Sequence, residues 1–164
     1  MASDPVRLTT LSWGVKQSFR SYVEATGGVI ETSAGAEREA DGGFTFVAPP
    51  GEGLTLDADG RPQGQGKFTG EVRFEAHGGM LKVCLADPIL DIGPTGAVLT
   101  AFDTTARTHR MEIAKLDLAA ITQGDAGELV IPASLAMDGI QVLGDHYPLN
   151  TPLDPVRLAR PSGG

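Results

Sequence analysis

Glycine and proline punctuate this chain from end to end, 22 and 11 of them in 164 residues. Glycine supplies turn conformations that other residues avoid, and proline removes a backbone donor. A chain cut so often favours short strands joined by turns over long helices. The stretches between the breaks carry strand patterns. Residues 67–76 alternate, with Phe68, Gly70, Val72, Phe74 and Ala76 on one face and Lys67, Thr69, Glu71, Arg73 and Glu75 on the other. That is the period of a half-buried strand. Gly78-Gly79 then reads as a two-residue hairpin turn, and residues 80–86 return with Leu81, Val83 and Leu85 on one face. Pro88 ends or interrupts the return strand, and residues 89–92 continue beyond it.

Further strands are expected at residues 29–32, Phe44–Val47, Leu54–Leu56, Gly96–Phe102, 107–116 and 129–132. Residues 133–143 fit either a short helix or an irregular connection, and the proline-bearing residues 147–158 fit extended chain. One segment has a different period. In residues 11–25, Val15, Phe19, Tyr22 and Val23 share a helical face, Ser12 suits an N-cap, and Gly27-Gly28 a stop. This predicts a helix over 11–25 with Tyr22 pointing inward beside Phe19, and Ser18 one turn before Tyr22. The expected fold is mainly antiparallel β, a sandwich or a partial barrel, with one N-terminal helix. A single domain over residues 11–158 is expected, with residues 1–10 an extension and 159–164 a frayed tail.

Composition narrows the function. Hydrophobic residues are 41% and charged residues 21%, a globular balance. The net charge of −8 argues against nucleic acid, whose binders need a basic stripe. No run is long enough for a membrane span, and no secretory signal is visible at residues 1–10. A cytoplasmic location is therefore expected, or a cell-surface one if the chain is trimmed from a longer protein. The one cysteine, Cys84, lies in an apolar stretch and reads as a buried small hydrophobe.

Familiar chemical motifs fail. Asp57-Ala58-Asp59-Gly60 has its glycine too early for a calcium loop and reads as a turn. Gly64, Gly66 and Gly70 miss the dinucleotide spacing. His77, His109 and His146 are too widely spaced for a zinc signature. From the residues alone, Tyr22 is a core tyrosine, Ser18 a helix-surface hydroxyl, and His77 an exposed turn residue on the face of Glu75.

Three segments stand out together. They are the helix from Leu11 to Val23, with Trp13-Gly14-Val15-Lys16, Ser18-Phe19-Arg20 and Tyr22-Val23; the hairpin Gly70-Glu71-Val72-Arg73-Phe74-Glu75-Ala76-His77-Gly78-Gly79-Met80-Leu81; and Pro152-Leu153-Asp154-Pro155-Val156. In this order they resemble the HtaA domain of actinobacterial haem-uptake proteins, across residues 11–158. The helical segment is specific, the hairpin supports it, and the last segment is weak alone.

The resemblance implies ferric haem b as cofactor, with Tyr22 as iron ligand, His77 bonded to Tyr22, and Ser18 against the haem or its propionates. Trp13 and Phe19 fit the core better than a haem face, although both belong to the matched helix. A phenol of pKa about 10 is a poor ligand at neutral pH, but a ferric ion favours the phenolate, and an imidazole beside it accepts the proton or holds the anion. The chain departs from the family at Gly144-Asp145-His146-Tyr147, where His146 adds a polar group. It also lacks the export signal and anchor found around many such domains. The first expectation is haem binding for acquisition, transfer or storage, with a haem donor or acceptor protein as partner. A haem-dependent enzyme is the alternative, with His146, His109, Arg20 or Arg107 over the open iron position. A β interaction domain without haem is the third. Oligomerisation stays open.

Overall fold

The computed structural model describes residues 7–40, 42–93, 96–102, 110–125, 127–143 and 147–159. In chain order the elements are β1 (Arg7–Leu8), β2 (Thr10–Trp13), α1 (Gln17–Ala25), β3 (Val29–Ser33), β4 (Glu37–Arg38), β5 (Phe44–Val47), β6 (Leu54–Leu56) and β7 (Pro62–Lys67). There follow β8 (Glu71–Ala76), β9 (Leu81–Gly93), β10 (Gly96–Phe102), β11 (Arg110–Leu116), β12 (Thr122–Gln123), β13 (Leu129–Leu135), α2 (Met137–Val142) and β14 (Pro152–Ala159). Of the described residues 55% are strand, and one curled antiparallel sheet forms a half-barrel. This resolves the choice between sandwich and partial barrel. The main path of the sheet runs β1-β6-β7-β9-β10-β11-β13-β14-β2-β5-β4, with β3 and β8 attached through β9.

Strand β9 is the spine. Its first half pairs with β8, from Ala76↔Leu81 to Glu71↔Ala86. Its second half pairs with β7, from Lys67↔Ile89 to Gly64↔Ile92. Asp87 turns the corner between them at φ 50. The strand survives Pro88 because no ladder donor is needed there; Pro88 instead offers its carbonyl to Phe68 N–H at 3.0 Å. The expected strand over 67–76 is correspondingly broken. Gly70 marks the break at φ 140, where a Cβ would come within 2.8 Å of the Phe46 ring. The β8–β9 connection is also longer than a two-residue turn, since Ala76 pairs with Leu81 across residues 77–80.

The helix differs from expectation at its start. Residues 10–13 form a strand between β5 and β14, with Leu11 and Trp13 buried and Thr10 and Ser12 half-buried. Ser12 is therefore no N-cap, and α1 begins at Gln17. Val15 makes the corner at φ 65, which a β-branched residue rarely adopts. Phe19, Arg20 and Val23 form the buried face of α1. Tyr22 lies at its edge, 37% exposed, not inward with Phe19.

The buried apolar residues form one cluster that joins α1 to the sheet. Phe19 meets Phe74 edge-on at 5.1 Å, and Phe74 meets Phe44 at 5.7 Å. Such contacts contribute about 0.5–1.5 kcal/mol beyond burial. Cys84 is half-buried, not fully buried, because the edge of β9 that it occupies faces a small cleft lined by Met111 and Val142. The ambiguous segment 133–143 divides into the end of β13 and the short helix α2. The extended chain expected over residues 147–158 includes β14, an interior strand paired with β13 and β2. Strand β1 pairs with β6, so the sheet reaches into the segment set apart as an N-terminal extension. No helix among the described residues is long and apolar enough to cross a membrane.

Candidate functional site

Helix α1 and the β8–β9 turn meet at one rim of the half-barrel. Tyr22 is in the second turn of α1, where its position beside the buried face leaves the phenol ring half in solvent. His77 follows the last residue of β8. Simple alternation would place it on the side of Glu75, away from Tyr22. The backbone reverses this: His77, Gly78 and Gly79 all have positive φ, at 55, 64 and 94. Glycine takes that region freely, and histidine less readily. The turn brings His77 Nε2 to 2.6 Å from Tyr22 Oη, with ring centres 5.7 Å apart. Either ring can donate in this bond, the phenol O–H to a bare Nε2 or an Nε2–H to the phenol oxygen, according to the imidazole tautomer.

Ser18 is the neighbouring outward residue, and its Oγ lies 3.4 Å from Tyr147 Oη. The Tyr147 ring rests edge-on to Phe19 at 6.4 Å, under the Lys16 ammonium at 5.4 Å. Met80, in the same turn as His77, is 90% exposed. The rim thus combines a phenol oxygen, two hydroxyls, one imidazole and apolar surface.

Other expected residues stand elsewhere. Trp13 and Phe19 are 3% and 0% exposed, so neither presents a ring face at the surface. The Trp13 indole instead donates to Asp154 O at 2.8 Å. Arg20, a candidate for the open iron position, turns inward to Asp154. His109, Arg107 and His146 lie outside the described residues. Among the described residues, no group of three or more His, Cys, Asp or Glu is placed to hold a metal ion.

Two features escaped the sequence reading. Tyr147 carries no local sequence signal that would place it beside Ser18, 129 positions away. Asp154 was part of a weak terminal motif, yet its carboxylate receives Gln17 N–H at 3.0 Å and Arg20 Nη2 at 3.1 Å. A second polar cluster sits apart, at the β9 corner. Arg110 donates to Asp87 O at 2.8 Å and Thr100 Oγ1 at 3.1 Å, and lies 4.2 Å from the Phe102 ring centre. Burial pushes the Arg110 guanidinium below its ordinary pKa, and the Asp87 carboxylate partly opposes that.

The fold and this rim define a class: a half-barrel β domain that presents a histidine-bonded tyrosine from a short helix. The chain belongs to the HtaA family, whose model, described as Htaa, matches residues 9–159. Solved structures agree. The C-terminal domain of HtaA from Corynebacterium glutamicum is 25% identical at a TM-score of 0.73, over 95% of this chain and 97% of that one. The N-terminal domain of the same protein is 21% identical at 0.71, over 97% and 100%. The heme binding protein HtaB from that organism is 19% identical at 0.66, over 94% and 93%. A search of curated proteins found no match.

Proposed function

We propose that this domain binds ferric haem b at the α1 rim, with Tyr22 as the iron ligand, and serves haem acquisition, transfer or storage. The observation that carries the reading is the 2.6 Å contact between Tyr22 Oη and His77 Nε2 on an exposed rim. Membership of the HtaA family and likeness to a heme binding protein support it. The residues present fit the group. Haem needs an axial donor held in place and partners for its propionates. Tyr22 is a hard oxygen donor at the surface, and tyrosine ligation of haem iron has precedent. His77 takes up or holds the phenol proton as the oxygen changes charge, which offsets the high pKa of a free phenol. Ser18 and Tyr147 offer hydroxyls beside it. Bound haem would supply a ferric centre that prefers an anionic oxygen ligand; reduction would weaken that preference and favour release.

Titration of ferric haem into the purified domain and into Tyr22→Ala tests this. The expected result is saturation near one haem per chain, with a tyrosinate charge-transfer band absent from the variant. Identical spectra for the two proteins would exclude Tyr22 as ligand.

A further inference from the structure

Helix α1 displays Ser18 and Tyr22, yet its own sequence does little to hold it. It spans nine residues, below the length of about 12–15 at which isolated helices become even marginal in water. Its first turn has no acidic residue, and Lys16 before it makes no side-chain cap. The cap comes from 137 positions away, where Asp154 Oδ1 accepts Gln17 N–H at 3.0 Å. Oδ2 of the same carboxylate holds Arg20, a residue only 8% exposed. The Asp154 backbone closes the corner: its N–H donates to Val15 O at 2.9 Å, and its carbonyl accepts the Trp13 indole. Arg20 Nε returns to Gly14 O at 3.0 Å. Gly14 leaves room for this, since a Cβ there would stand 2.3 Å from Asp154 Oδ2. The strained φ of Val15 persists because these contacts over-determine the corner.

We propose that Asp154 is a positioning residue for Tyr22, fixing the start of α1 and thereby the place of the phenol oxygen beside His77. Helix geometry gives the sensitivity. A slip of one residue at the helix start turns every later side chain by about 100° and shifts it by about 1.5 Å. A hydrogen bond of 2.6 Å cannot follow such a movement. The consequence for haem rests on the reading of Tyr22 as ligand; the consequence for the Tyr22–His77 pair does not.

The test uses the whole domain with Asp154→Ala and Asp154→Asn, each held at a temperature where circular dichroism shows it folded. Without haem, NMR records the ring resonances of His77 in both, beside wild type and Tyr22→Phe. The expected result is that Asp154→Ala moves these resonances toward the Tyr22→Phe positions. Asp154→Asn, which keeps an oxygen for Gln17 N–H, should fall between. With ferric haem, Asp154→Ala should lose haem to a scavenger about tenfold faster, the equivalent of one charge-assisted hydrogen bond. Unmoved His77 resonances in a folded Asp154→Ala, with only a lower melting temperature, would overturn the proposal. If Asp154→Ala does not fold, unmoved resonances in Asp154→Asn overturn it instead. If Tyr22→Phe leaves haem binding intact, the ligand reading fails while the resonances still decide the role of Asp154.

Discussion

The two ends of α1 follow opposite rules. At its start, Arg20 and the Asp154 carboxylate are largely withdrawn from water, and side-chain and backbone bonds from Trp13, Val15 and Gln17 converge on one residue. Farther along, Tyr22 stands 37% exposed and meets His77 across a turn whose backbone has positive φ. One end is tied down and hidden; the other is on show. The bonds that hold the helix are concentrated at its start, so Tyr22 can stand at the surface at little cost to the fold.

Substitutions at each end can break this comparison. The largest effect on binding is expected from Tyr22→Ala: loss of the stoichiometric haem phase, with a stability loss of only about 1 kcal/mol from the missing bond to His77. A large drop in stability would show that Tyr22 is a fold residue after all. The converse is expected at the other end. Asp154→Ala strands a guanidinium that is 10% exposed and should lower the unfolding free energy in urea by about 3 kcal/mol. Gly14→Ala, which drives a methyl group into the Asp154 carboxylate, should cost about 2 kcal/mol in the same measurement. His77→Ala should weaken haem binding about tenfold in a competition titration, through loss of a bond to an ionised oxygen. Ser18→Ala is expected to change stability by less than about 0.5 kcal/mol, since its 3.4 Å contact to Tyr147 is exposed and long.

Much of the fold is written in local pattern. Phe44–Val47 and Gly96–Phe102 show strand alternation, and the sequence pattern puts Tyr22 on a helix and His77 at a hairpin turn. The failures have a common cause. Leu11, Val15 and Phe19 repeat every fourth residue and imitate a helix face, while the strand between β5 and β14 is decided by partners distant in sequence. Strand β7, with Gly64 and Gly66 in its middle, has poor strand propensity and exists through its register with β9. The side to which His77 points depends on its own positive φ, which alternation cannot foresee. The buried charge of Arg20 makes sense only once Asp154 is beside it.

The cap on α1 also sets an order of events during synthesis. Gln17 leaves the ribosome 137 residues before Asp154 does. At about 5–20 residues per second, the helix waits on the order of ten seconds without its anchor. A contact so distant along the chain forms late and slowly. Until β14 slots between β13 and β2, the start of α1 lacks its cap and the Tyr22–His77 rim is unfinished. On the proposed reading of Tyr22, haem capture would then report that β14 has docked.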